Sequence, residues 1–342
     1  MSPASSSSRE PRAVIFGLSG NTLTDNEKKF FRSADPLGFI LFQRNCENPA
    51  QLRNLVIALR DTVRRADAPV LIDQEGGRVA RLKPPHWRAY PPASSIAASK
   101  NPAEAAFLGA RLIADDLADL GITIDCAPVL DLPAPGADPI IGDRAYGTTP
   151  ETVASIGRAV CDGLLAGGVL PVIKHIPGHG RAGVDSHLAL PVVSASRAEL
   201  EAGDFAPFRA LKHMPWAMTA HIVYSAIDAE RPATLSPRLI SQTIRASIGF
   251  DGVLISDDLS MKALPGSLPG RARGALEAGC DVVLHCNGEM REMSGIARAV
   301  GPLSAEARRR IDAGERRRLA ASQPFERSAA EARFASLLEG QA

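Results

Sequence analysis

One glycine-rich segment carries more reactive side chains than any other part of the sequence. Residues 174–180 read KHIPGHG, and residues 185–187 read DSH. The proline and the two glycines of the first run favour a loop over a helix. The ammonium, imidazole and carboxylate groups of this segment could transfer protons, bind an anion or coordinate a metal.

Further polar groups directly follow short apolar runs. The run that ends at Ile72 precedes DQEGGR (residues 73–78), and VLIS (residues 253–256) precedes two aspartates. In a barrel of parallel strands, functional residues lie at the carboxyl ends of the strands. We therefore expect one group of side chains to meet at that end of a barrel: Asp73, Arg81, Asp131, Arg144, Lys174, His175, His221, Asp257, Asp258 and His285.

The elements that would position these groups are short apolar runs alternating with amphipathic helical patterns. The predicted strands are residues 14–18, 39–42, 69–73, 124–130, 171–175, 217–222, 252–257 and 281–285. Helices are predicted for residues 52–63 and 108–120, and near 150–167, 196–213, 236–247 and 270–279. Eightfold alternation predicts an α/β fold, a single-domain (β/α)8 barrel of the TIM type. A doubly wound sheet is disfavoured because its glycine-rich fingerprint is missing after the first strand.

The chain is expected to divide into three segments. Residues 1–12, which include four consecutive serines, are predicted to be disordered. Residues 13–303 are predicted to form the barrel, without a second domain. Residues 304–342 form a predicted helical tail that packs on the barrel, and its two arginine triplets are expected to be solvated rather than to bind an anion.

Composition excludes several classes of protein. The formal net charge is +1, from 39 basic and 38 acidic residues, so no basic excess indicates binding to nucleic acid or an anionic membrane. No apolar run has the length of a secretory signal or of a membrane helix. The five scattered cysteines are odd in number and are expected to be reduced thiols. We therefore expect a cytoplasmic protein, acting as a monomer without a cofactor or a metal.

Four motifs in this order resemble glycoside hydrolase family 3: residues 73–78, 141–146, 174–187 and 256–261. They are most similar to the bacterial single-domain β-N-acetylhexosaminidases of peptidoglycan recycling, over about residues 13–300. The resemblance implies a retaining double displacement that removes terminal β-N-acetylglucosamine from cell-wall fragments. It points to N-acetylglucosamine linked to 1,6-anhydro-N-acetylmuramic acid, with or without peptide, as the small carbohydrate substrate.

The resemblance also implies roles for individual residues. Asp257 would be the nucleophile, and His187 would be the general acid/base, oriented by Asp185. Asp258 is the rival nucleophile, but neighbouring residues of a strand point in opposite directions, so both are not expected to face one substrate. Five residues match positions that line the sugar pocket of the family: Asp73, Arg81, Arg144, Lys174 and His175.

Three alternatives stay open. A metal-dependent barrel hydrolase could use His175, His179, Asp185 and His187 as ligands, although the glycines argue against the helix that would align them. A β-glucosidase or a glycoside phosphorylase would keep the fold and change the sugar or the acceptor. An inactive sugar-binding barrel would keep the pocket without turnover.

Overall fold

The computed structural model describes residues 10–339, and these residues contain a closed barrel of eight parallel strands. The barrel order is β1-β2-β3-β4-β5-β7-β9-β10, with β10 paired to β1. The bounds are β1 Arg12–Phe16, β2 Pro36–Leu41, β3 Val70–Ile72, β4 Ile124–Asp125, β5 Leu170–Ile176, β6 Val192–Val193, β7 Trp216–Thr219, β8 Val223–Tyr224, β9 Val253–Asp258 and β10 Val282–His285. The predicted (β/α)8 fold and all eight predicted strands are confirmed. The sequence pattern does not predict β6 and β8, which pair with each other outside the barrel.

The barrel strands are buried on both faces, which explains their nearly continuous apolar sequences. All six residues of β2 and all seven of β5 are buried. The regular part of β4 is much shorter than predicted because Pro128, just beyond it, has no N–H group to donate to a neighbouring strand. Val129 makes only a single bridge to Lys174. The extended segment after β4 nevertheless continues to the mouth of the barrel.

Helices cover the outside of the barrel. Their bounds are α1 Asp25–Ala34, α2 Pro49–Val63, α3 Ala93–Ala97, α4 Pro102–Asp119, α5 Pro150–Ala166, α6 Arg197–Ala202, α7 Ala206–Ala210, α8 Leu268–Ala278, α9 Met290–Ala299, α10 Ala305–Ala321 and α11 Arg327–Leu338, with a π-helical segment at Leu239–Ile248. The helices α2, α4 and α5 begin in the same way, with an Asn or Thr cap followed by proline, which suits the first helical turn. The helix predicted near 196–213 is two short helices, because Gly203 caps α6 after Ala202 and interrupts the pattern. Within residues 10–339, no helix has the length and apolar character that a membrane span requires.

The two last helices lie against the barrel. Leu303, Ala307 and Ile311 pack against the apolar side chains of the barrel interior, at the end opposite to the carboxyl ends of the strands. The α11 helix contacts α4 through the buried ring of Phe334. Residues 1–9, most of the segment predicted to be disordered, lie outside the described residues. The first strand, β1, begins at Arg12.

Candidate active site

A cavity of about 270 Å³ opens at the carboxyl ends of the barrel strands. It is lined by apolar side chains, among them Ile40, Met218 and Leu284, and by a larger set of charged ones. All five predicted sugar-binding residues line the cavity, as do Asp257 and His187, whereas Asp185 stands behind His187. The structure therefore brings the predicted site residues together at one place.

One side of the cavity is a network of buried charges around Lys174. The Nζ atom of Lys174 lies 3.0 Å from Oδ1 of Asp73 and 2.6 Å from Oε1 of Glu75. Arg144 donates two hydrogen bonds of 2.8 Å to the carboxylate of Glu75. Arg81 lies 3.1 Å from the second oxygen of Asp73. Three cations and two carboxylates thus hold one another in fixed positions.

The network keeps its members ionised. Burial alone would raise the pKa of Glu75, but Lys174 and Arg144 outweigh burial and lower that pKa to about 2. Lys174 and Arg81 likewise hold the pKa of Asp73 well below its ordinary value, against the effect of burial. Burial would lower the pKa of Lys174, yet the two carboxylates raise it. The array can therefore offer both charged donors and charged acceptors to the hydroxyl groups of a sugar.

Glu75 is the residue of this network that the sequence analysis did not assign to the site. Its signal was its place two residues after Asp73, within the motif of residues 73–78. Gly76 and Gly77, which follow it, have φ angles of +98° and +56°. These left-handed conformations favour glycine and turn the chain back after Glu75, which holds the carboxylate at the cavity.

Asp257, near the end of β9, presents one oxygen to the cavity. Its Oδ1 accepts a hydrogen bond of 2.7 Å from the N–H of Asp258, and its Oδ2 accepts none from the described residues. Burial raises the pKa of Asp257, but His221 and His175 outweigh burial and keep that pKa below its ordinary value. The residue is thus an ionised carboxylate with a free oxygen.

Asp258 also borders the cavity, and the expectation that only Asp257 faces the substrate stays a prediction. The register of β9 against β10 shifts between Val282 and Leu284, so strict alternation of the side chains does not hold there. The carboxylate of Asp258 is occupied by the N–H and hydroxyl groups of Ser260 and by the N–H of Cys286. It fixes the loop after β9 and has less freedom to react than Asp257.

His187 and Asp185 form a pair on the loop after β5. The Nδ1 atom of His187 lies 2.7 Å from Oδ1 of Asp185, and the N–H of His187 donates to the same oxygen at 2.8 Å. Because the carboxylate accepts, the proton lies on Nδ1, which leaves Nε2 free to exchange a proton. The side chain of His187 is 60% exposed at the rim of the cavity.

Two buried histidines near the mouth of the barrel contact buried partners. The Nδ1 atom of His175 lies 2.7 Å from Oδ2 of Asp131, a residue without exposed surface. His221 contacts the hydroxyl of the buried Thr234 at 2.7 Å and the carbonyl of Asp258 at 3.1 Å. The Nε2 atom of the buried His285 lies 3.3 Å from the partly exposed Glu292. No role was assigned to Asp131 or Thr234 from the sequence.

The four possible metal ligands named from the sequence are engaged in three separate contacts. His175 pairs with Asp131, His179 pairs with Ser186, and Asp185 pairs with His187. Among the residues that the structure describes, no three histidine, cysteine, aspartate or glutamate side chains converge as a metal site would need. The geometry gives the metal-dependent alternative no ligand set.

A (β/α)8 barrel with a free carboxylate, an Asp–His pair and a charged array for hydroxyl groups at its mouth has the parts of a glycoside hydrolase. Residues 21–320 match the model of the glycosyl hydrolase family 3 N terminal domain. A β-hexosaminidase of Alkalilimnicola ehrlichii is 41% identical over 284 residues, which is 80% of each chain. The chain belongs to glycoside hydrolase family 3.

Solved structures give the same result. The structure of NagZ from Neisseria gonorrhoeae in complex with N-trifluoroacetyl-D-glucosamine is 33% identical, with a TM-score of 0.85, and the match covers 97% of this chain and 99% of that one. A family 3 β-N-acetylglucosaminidase from Paenibacillus sp. is 31% identical with the same TM-score, and the match covers 94% of this chain and 66% of that one. The resemblance to the β-N-acetylhexosaminidases of the family and the prediction of a glycoside hydrolase are confirmed.

Proposed function

We propose that this enzyme is a retaining β-N-acetylglucosaminidase that removes terminal N-acetylglucosamine from muropeptides. The observation that carries the proposal is the free Oδ2 of the ionised Asp257 in a cavity whose rim holds His187. The similarity to a structure that binds an N-acylated glucosamine supports the choice of sugar.

In the first step, Oδ2 of Asp257 attacks the anomeric carbon, and the glycosidic bond breaks. Nε2 of His187 gives its proton to the departing oxygen. In the second step, a water molecule attacks the anomeric carbon of the glycosyl–Asp257 ester while His187 takes a proton from the water, and the bond from this carbon to Oδ2 breaks, which releases the carboxylate. Two inversions leave the product with the configuration of the substrate.

Asp185 orients the acid/base. Its contact with Nδ1 of His187 fixes the tautomer and stabilises the positive charge that the ring carries before it gives up the proton. Asp73, Arg81, Arg144, Lys174 and His175 would bind the hydroxyl groups of the sugar. Their mutual ion pairs pre-organise this array before the substrate arrives.

The proposed substrate is N-acetylglucosamine linked to 1,6-anhydro-N-acetylmuramic acid, with or without peptide, and the proposed role is the recycling of peptidoglycan. We assign the enzyme to the cytoplasm, as a monomer. All five cysteines are free thiols, which fits a reducing compartment. The reaction as proposed uses no cofactor.

The test compares wild type, Asp257→Asn and the control Asp61→Asn, which changes an exposed carboxylate on α2. We expect the wild type and the control to release β-N-acetylglucosamine from the disaccharide, with the anomer followed by NMR, and Asp257→Asn to be inactive but folded. Release of the α-anomer first, or full activity of Asp257→Asn, would overturn the proposal. Faster turnover of a β-glucoside would favour a β-glucosidase. Formation of sugar-1-phosphate in phosphate buffer would favour a glycoside phosphorylase.

A second comparison addresses His187. A dinitrophenolate leaves without protonation, whereas a sugar alkoxide does not. We expect His187→Ala to lower kcat/KM strongly for the disaccharide and slightly for the dinitrophenyl glycoside, because kcat/KM reports the first step and not the second, in which His187 acts on water for both substrates. Equal effects on kcat/KM for the two substrates would remove the acid/base role.

A further inference from the structure

Ser186 is a buried residue between Asp185 and His187, which the proposed mechanism uses. It is 3% exposed, although the neighbouring His187 side chain is 60% exposed and Val184 is 41% exposed. The hydroxyl of Ser186 is hydrogen-bonded to Nε2 of His179 at 3.0 Å. Its carbonyl accepts from the N–H of Ala263 at 3.2 Å, in the segment that follows β9. The loop is therefore attached to the barrel through Ser186.

His179 is itself held firmly. It is 4% exposed, and its N–H donates a hydrogen bond of 2.6 Å to the buried Asp131. The same aspartate accepts from the N–H and the ring of His175, and the two imidazoles lie edge to face at 5.4 Å. A continuous series of contacts thus runs from the sugar pocket, through His175, Asp131 and His179, to Ser186.

We propose that His179 and Ser186 are positioning residues, forming a latch that fixes the Asp185–His187 pair at the cavity. This inference rests on the proposed function, since it assigns the latch to the acid/base pair. Ser186 is the residue between Asp185 and His187, so a fixed Ser186 limits the backbone of both neighbours. Without the hydroxyl, the hydrogen bond from the N–H of Ala263 is the only one that Ser186 keeps to residues 10–339.

The chemistry of His179 suits a permanent latch. Burial and the neighbouring His175 lower the pKa of His179 to about 4, so the ring is neutral at neutral pH. A neutral imidazole offers one donor and one acceptor, and the serine hydroxyl can match either. The latch therefore stays closed while the exposed His187 gains and loses its proton.

The experiment compares Ser186→Ala with Ser236→Ala, a control at a fully buried serine whose hydroxyl bonds Asp228, in a loop away from the cavity. For Ser186→Ala we expect kcat/KM for the disaccharide to fall about 10-fold to 100-fold, as small displacements of a catalytic group do. The value of kcat/KM for the dinitrophenyl glycoside should change little. The control loses stability without changing the ratio of kcat/KM between the two substrates.

A double variant separates the latch from a general structural role. If the latch acts through His187, Ser186→Ala combined with His187→Ala is no slower than His187→Ala alone. Additive losses, or a Ser186→Ala variant that slows both substrates equally, would overturn the latch. If His187→Ala itself affected both substrates equally, the proposed acid/base role would fall, and the latch with it. If His187→Ala slowed mainly the disaccharide while Ser186→Ala slowed both substrates equally, the latch alone would be overturned.

Discussion

Lys174 and Glu75 are joined by an ion pair of 2.6 Å, although Lys174 lies on β5 and Glu75 follows β3. Arg144 lies in the segment after β4 and donates two hydrogen bonds to the same carboxylate. The side chains of Lys174 and Glu75 are 3% and 8% exposed. One carboxylate therefore joins three segments around the cavity and compensates two buried cations.

Glu75→Gln tests how much this contact contributes to the free energy of unfolding. The substitution keeps the shape of the side chain but leaves Lys174 and Arg144 short of a negative charge in a buried place. Removing one member of a buried ion pair costs about 3–5 kcal/mol, and we expect the free energy of unfolding to fall by that order. Urea denaturation followed by circular dichroism measures it. Glu104→Gln, which removes a partly exposed partner of Arg333, serves as control and should leave the stability nearly unchanged. Equal stability of the two variants would contradict the assigned role of Glu75.

The same carboxylates determine how the stability depends on pH. The pKa of Glu75 is lowered from 4.5 to about 2, and that of Asp73 is also lowered. Groups with a depressed folded-state pKa stabilise the fold above their ordinary pKa, and this contribution is lost as the pH falls toward the folded-state value. For Glu75 we expect the loss between about pH 4.5 and pH 2. The free energy of unfolding of Glu75→Gln should fall less steeply with decreasing pH than that of the wild type. Parallel curves for the two proteins would show that Glu75 is not ionised in this way.

The sequence predicts the barrel and most of the site for a simple geometric reason. Asp73 and Asp257 follow directly on apolar strands, and the carboxyl ends of parallel strands meet at one end of a barrel. Partnerships between distant segments do not follow from such a pattern. Asp131 and His175 are 44 residues apart, and their contact depends on how β4 and β5 pair. The shift in register between β9 and β10 has no sequence signal either.

In the C-terminal tail, too, the sequence pattern does not predict contacts between distant segments. The two arginine triplets were expected to be solvated, and Arg309 is half exposed, but the side chain of Arg310 is only 14% exposed. Its guanidinium lies 2.8 Å from the carboxylate of Asp281. Nothing in a run of three arginines tells which of them turns toward the barrel.

Asp281→Ala tests whether this contact fastens the tail. Asp281 accepts from Arg245 and Arg310, each at 2.8 Å, and from the N–H of Leu254. The substitution leaves the largely buried Arg245 without its carboxylate, whereas Arg310 keeps its contacts with Asp251 and Glu306. We expect a loss of about 3–5 kcal/mol in the free energy of unfolding. Because Asp281 lies just before β10, at the end of the barrel away from the cavity, kcat and KM at a permissive temperature should stay near the wild-type values. A large rise in KM in a folded protein would contradict this separation.

Two glycines of the loop after β5 form a natural pair for the last prediction. A Cβ atom at Gly180 would lie 1.8 Å from the carbonyl oxygen of Leu132, whereas a Cβ atom at Gly183 would meet no atom within 4 Å. The backbone of Gly180 also accepts a hydrogen bond from Ala134 at 2.9 Å. Gly180→Ala must therefore push two backbone segments apart at the base of the loop, and Gly183→Ala need not.

We expect Gly180→Ala to lower the free energy of unfolding by about 1–3 kcal/mol, as added volume in a tightly packed place does. It should also lower kcat on the disaccharide, because the displaced segment leads directly to Asp185 and His187. Gly183→Ala should retain the wild-type stability. Thermal denaturation measures the stability of both variants, and steady-state kinetics measure their kcat. If the two substitutions behaved alike, the close approach of Gly180 to Leu132 would not be what fixes the base of the loop, and its position would have to depend on Ser186 and the contacts beyond it.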